Sequence, residues 1–215
     1  EVIFMLAVIK KFMCAVSVLA AVCVVSSCGK SDMTVMEKVQ KQLADTESYK
    51  CAATLTRISN KGENTYETIQ YNKTTGEYRM EITAPENMAG NYTVYDGNTI
   101  SQYNAKTKET VNIDIPEGSN GDELFFCSFI RNYMQSEDVA VDTAVSLDES
   151  SCTVLEAVIP GGNKYTATEK VWIDNETLKP LKFVIYDEDG KERYIITYNE
   201  FEYNPEIDDS VFKAD

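Results

Sequence analysis

The chain has 215 residues, with 35 acidic and 20 basic side chains, a formal net charge of −15 and no histidine. The missing imidazole excludes the usual Ser-His, Cys-His and His-metal chemistries. The acidic balance argues against nucleic-acid binding, because such a surface repels phosphates.

The first segment reads as an export signal. Lys10 and Lys11 precede an apolar run from Phe12 to Val25, which ends in Val25-Ser26-Ser27-Cys28. Charged, apolar and small stretches in that order mark a leader rather than a piece of fold. An aliphatic residue, two small ones and a cysteine form a lipobox. Cys28 is therefore the expected site of lipid attachment and the expected mature N-terminus, with residues 1–28 removed. Met5 is the expected start. A plain membrane anchor with a chance cysteine fits less well, since the run is short for a span. Of the six cysteines, Cys14 and Cys23 leave with the leader, while Cys51, Cys127 and Cys152 remain. Their wide spacing makes no CxxC pair and no zinc knuckle. Cys51 shares a strand face with Ala53 and Leu55, which predicts a buried thiol.

Gly29 to Met33 is a short tether, which reaches about 17 Å when extended. One domain, residues 34–215, follows. Thr34-Val35-Met36-Glu37 reads as a capping box. Val35, Val39 and Leu43 at four-residue steps predict an amphipathic helix ending near Asp45. From Tyr49 the period changes to two. Six short strands separated by turns then run to Ile115, with Asp96-Gly97-Asn98 as a tight hairpin. Such a series predicts an antiparallel meander.

Asp122 to Gln135 reads as a second helix, its acids placed in the first turn as the helix dipole prefers. Phe125, Phe129 and Tyr133 form one row, Phe126, Ile130 and Met134 the next, and Leu124 joins the same side. Strands resume at Val139. Pro160-Gly161-Gly162-Asn163 and Asp187-Glu188-Asp189-Gly190 read as hairpin turns, and Asp208-Asp209-Ser210 as a capped single turn. Asp187 and Asp189 meet only part of a calcium-loop pattern. The fold class is mainly β with α: a curved, unclosed antiparallel half-barrel of about eleven strands, with two helices covering its concave face.

This arrangement resembles the LolA/LolB-like lipoprotein superfamily. Three segments carry the resemblance: Glu77 to Pro85, Val94 to Tyr103, and the tail from Val171-Trp172-Ile173-Asp174 through Pro180 to Phe212. It implies a concave interior able to accept acyl chains, gated by helices. The helix from Leu124 to Met134 would be the lid, with Leu124, Phe125, Phe126, Phe129, Ile130, Tyr133 and Met134 lining the cavity. Arg79, which corresponds to the family's strand arginine, would help hold it shut. The residues themselves favour the other reading, that the helix fills the curved sheet and leaves no cavity, because aromatic rows at helical spacing are usually core.

The chain is closest in overall plan to the germination lipoproteins of spore-formers. That likeness implies a non-enzymatic binding module on the outer face of a bacterial cell or spore membrane, docked to a peptidoglycan amidase. The second implied role is a lipid or lipoprotein acceptor. No cofactor and no metal is implied, and a homodimer is left open.

Overall fold

Period-two alternation and turn chemistry dictate most of the architecture. The computed structural model describes residues 33–114 and 121–214. The leader, the lipobox with Cys28, and all but the last tether residue lie outside them. Residues 35–215 belong to one compact unit.

Helix α1 (Val35–Ala44) starts directly after Thr34 and buries Val39 and Leu43. Its other apolar residues, Val35 and Met36, pack at the margin of the same core. Among the described residues eleven strands follow: β1 (Ser48–Ser59), β2 (Gly62–Lys73), β3 (Tyr78–Ala84), β4 (Tyr92–Tyr95), β5 (Ile100–Asn104), β6 (Glu109–Ile113), and then, after helix α2 (Phe126–Gln135), β7 (Val139–Leu147), β8 (Ser150–Asn163), β9 (Thr166–Asp174), β10 (Pro180–Tyr186) and β11 (Glu192–Tyr203). All pair antiparallel in one sheet of order β6-β5-β4-β3-β2-β1-β11-β10-β9-β8-β7. Two meanders thus meet along the β1–β11 seam. The terminal strands β6 and β7 do not meet, so the half-barrel stays open.

On the concave face β1 contributes Tyr49, Cys51, Ala53 and Leu55, all buried as the alternation requires. The three cysteines of the domain are free and buried. Turns behave as their side chains predict. Asp96 Oδ1 accepts from the N–H groups of Asn98 (2.9 Å) and Thr99 (2.8 Å). Asp187 Oδ1 accepts from Asp189 N (3.0 Å) and Lys191 N (2.9 Å), which makes this acid a turn-former. Asp208 caps the final 3₁₀ turn, Asp209–Phe212, by accepting from Ser210 N. That turn lays Phe212 against Tyr92 and Val94 on the convex side.

Two boundaries differ from the sequence reading. The β8–β9 reversal uses Lys164-Tyr165, with Asn163 opposite Thr166, and the two glycines before it form an irregularity in β8. Gly161 has φ +66, and a Cβ on Gly162 would sit 2.4 Å from the Thr166 carbonyl oxygen. The glycines therefore allow close backbone approach rather than reversal. Helix α2 begins at Phe126 rather than Asp122, because Asp122 is drawn elsewhere. Its carboxylate accepts from Arg131 Nη2 at 3.1 and 3.0 Å, and its carbonyl closes a tight turn onto Phe125 N at 2.9 Å.

Candidate functional site

Helix α2 lies on the concave face against β8 and β2. Phe126 and Phe129 are fully buried. The Phe126 ring meets Phe201 edge-on at 5.5 Å and Tyr49 at 6.1 Å, while Tyr198 and Tyr203 each lie at 6.3 Å. Phe129 meets Phe183 at 5.9 Å and stacks with Tyr133 at 5.8 Å. Phe125 stacks on Tyr78 at 4.4 Å. Aromatic pairs at such distances contribute about 0.5–1.5 kcal/mol each beyond their buried area. Of the other expected lining residues, Ile130 and Tyr133 are buried and Leu124 packs at the core margin. Met134 is 48 % exposed and turns to solvent.

Polar contacts fasten both ends of α2. At its start Phe126 N donates to Tyr49 Oη at 3.2 Å. That hydroxyl donates in turn to Gln70 Oε1 at 3.1 Å, and Gln70 Nε2 donates to Thr68 Oγ1 at 3.3 Å. Toward its end Asn132 Nδ2 donates to Glu169 Oε1 at 2.8 Å. These partners were not singled out in the sequence. Glu169 shares strand parity with Val171 and Ile173, which was the available signal that it points inward. Tyr49→Phe is expected to strand the Phe126 N–H and the Gln70 amide and to cost about 1–3 kcal/mol. Urea unfolding measures it, and an unchanged midpoint would remove this anchor.

Glu169 is 1 % exposed. Its second oxygen, Oε2, has no hydrogen-bond partner among the described residues, and neither does the buried Tyr198 hydroxyl. Burial pushes the Glu169 carboxyl up to about 7, against the opposing pull of the Asn132 hydrogen bond and the Arg131 charge. The Tyr198 hydroxyl is likewise pushed well above its ordinary value, chiefly by burial.

Arg79 stands on the other side of the sheet. Its strand neighbour Tyr78 faces α2, so Arg79 points outward. There its guanidinium carbon lies 3.7 Å from the centre of the Tyr92 ring, and Nη2 is 3.5 Å from Glu81. The Arg79 side chain thus lies on the face of the sheet opposite the helix it was expected to help hold shut.

Two concavities have no residue of α2 in their lining. One, of about 500 Å³, lies along β3–β6 and is lined by Met80, Ile82, Met88 and Val111 among others. The other, of about 710 Å³, opens beside β11. Among the described residues no cluster of acidic, cysteine or histidine side chains is placed to hold a metal ion, and no helix is long and apolar enough to cross a membrane.

Comparison with known proteins relates this geometry to others. A family model described as "Sporulation protein YdcC-like" matches residues 9–212. Among curated proteins none matches. A chain from the complex of the CwlD amidase from Clostridioides difficile with the GerS lipoprotein is 31 % identical, with 82 % of this chain and 99 % of that one covered and a TM-score of 0.49. An uncharacterized conserved protein from Thermus thermophilus shares the fold at 17 % identity and TM-score 0.52, covering 84 % and 91 % of the two chains. A LolA superfamily protein from Nitrosomonas europaea is 14 % identical at TM-score 0.44, over 84 % and 96 %.

Proposed function

Because the chain belongs to the YdcC-like sporulation protein family, we propose that it is a non-enzymatic envelope lipoprotein that docks a peptidoglycan amidase and enables its activity. The supporting observation is the seating of α2. Phe126 and Phe129 leave no exposed surface, and the helix is hydrogen-bonded to the sheet at both ends. A helix fastened in this way is core, and recognition then falls to the outside of the molecule. The 31 % identical relative comes from a complex of an amidase with a lipoprotein, which supplies the partner class. Lipid on Cys28 would hold the domain at the membrane, since a diacylated cysteine meets the requirement of more than one chain for stable anchoring.

The test uses the full chain in detergent, mixed with the sporulation amidase of the same organism. Co-elution on gel filtration and a gain in amidase turnover on purified peptidoglycan are expected. An amidase that elutes alone and is equally active alone would refute the proposal.

A second reading has its own support. The trough of about 500 Å³, where Met80, Ile82, Met88 and Val111 are interleaved with polar residues such as Thr93, Gln102 and Glu109, has the size and a partly apolar lining to admit an acyl chain. Native mass spectrometry after mild extraction should then show a bound lipid. A uniformly empty protein would dispose of this role.

A further inference from the structure

Strand β11 outruns its neighbour. Its pairing with β1 continues to Tyr203, opposite Tyr49. Its pairing with β10 stops at Thr197, opposite Lys182. From Tyr198 to Glu202 one backbone edge of β11 therefore has no ladder partner among the described residues, although β11 lies in the interior of the sheet order. The next ladder position on β10 is Leu181, an extra residue that breaks the β9–β10 register, and before it stands Pro180, which has no N–H to give. The facing wall bonds largely within itself, with Leu178 N donating to Asp174 O, Asp174 N to Lys179 O and Lys179 N to Thr177 Oγ1, and β11 reaches it just past the free stretch, where Tyr203 Oη donates to Leu178 O at 2.8 Å. Between this turn and the free edge lies the notch of about 710 Å³.

The side chains around the notch define what fits. A bulge at Asn199 shifts the phase of β11, with Ala53 opposite Tyr198 and Ala52 opposite Glu200. Tyr198 and Phe201 therefore both turn inward and give the notch an apolar floor. Glu200 and Glu202 point outward and are exposed, and among the described residues neither is in a salt bridge. Lys50, the register partner of Glu202 and also part of the notch lining, shares its outward face and leans toward β2, with its amine 5.5 Å from the centre of the Tyr71 ring. Among the described residues Lys179 is the single cation on the far wall.

We propose that the notch beside β11 accepts an extended, basic segment of a partner polypeptide, which adds a strand to the Tyr198–Glu202 edge. Main-chain groups would supply the pairing, small apolar residues would face Tyr198 and Phe201, and alternate Lys or Arg side chains would lie beside Glu200 and Glu202. An acyl chain lacks donors and acceptors for this edge. A second copy of so acidic a chain, with net charge −15, would bring repulsion to it. The site does not depend on the amidase reading, since any partner carrying such a segment fills it.

The experiment is hydrogen–deuterium exchange on the full chain in detergent, with blocked peptides as probes. Acetyl-Lys-Val-Lys-Val-Lys-amide is expected to slow exchange across Asn199–Glu202. The Glu-Val-Glu-Val-Glu counterpart and an N-methylated Lys peptide should not. The double reversal E200K/E202K, confined to exposed side chains, should weaken the Lys peptide about tenfold and admit the acidic one. No protection, protection at β6 or β7 instead, or equal protection by the N-methylated peptide would each overturn the proposal. So would protection by palmitate alone, or protection that rises with protein concentration without peptide, which would assign the notch to lipid or to a second copy.

Discussion

Phe126→Ala is expected to destabilise the domain by about 3–5 kcal/mol, the range for deleting a large aromatic side chain from a packed interior. Its ring touches four other rings from β1 and β11, and none of them can follow the retreating side chain without breaking its own contacts. The fully buried position leaves no solvent to relieve the void. The cost should appear in urea unfolding as a lower midpoint with an unchanged slope, and as faster amide exchange through α2. Met134→Ala, at the exposed end of the same helix, should stay within about 0.5 kcal/mol. A loss below about 1 kcal/mol for Phe126→Ala would mean that α2 rides loosely on the sheet, and the lid reading would regain its standing.

The contrast between Phe126 and Met134 shows how far sequence reasoning carries. Periodicity placed Phe126, Ile130 and Met134 in one row, and the row exists, but its exposure climbs through 0 %, 6 % and 48 %. A helical row drifts around the axis, so its last member leaves the sheet. Strand phase was legible in β1, where inward and outward residues alternate without interruption. It was not legible in β11, because the bulge at Asn199 carries no glycine or proline to announce it. The glycines at 161 and 162 had the opposite effect: they advertised a reversal and delivered an irregularity. The β1–β11 seam joins the two ends of the domain, and nothing local in either strand specifies it. The same holds for the Tyr49 hydroxyl, whose acceptor role toward Phe126 N spans 77 residues.

Glu169→Gln is expected to stabilise the protein at pH 8 and to flatten its pH dependence. The carboxyl is pushed from 4.5 up to about 7 by burial. The groups facing it are Asn132, Arg131 and Asp122 from α2 and the turn before it, and Tyr198 from β11. Its register neighbours, Ile185 on β10 and Ala157 on β8, carry no charge. Below about 4.5 the folded and unfolded chains both hold the proton, so the site adds no pH dependence. Between 4.5 and about 7 the folded chain binds more protons than the unfolded one, so stability falls as pH rises. Above about 7 the native carboxylate is ionised in a dry site and the penalty is complete, on the order of 3 kcal/mol. Glutamine retains the oxygen that accepts from Asn132 and never ionises. The stability difference between variant and parent should therefore grow by about that amount from pH 4.5 to 8, measured by urea unfolding across the range. A difference that stays flat would show that Glu169 titrates at its ordinary value, with water or a cation reaching Oε2. In that case the seam under α2 would be wet, and the filled core on which the docking proposal leans would have to be given up.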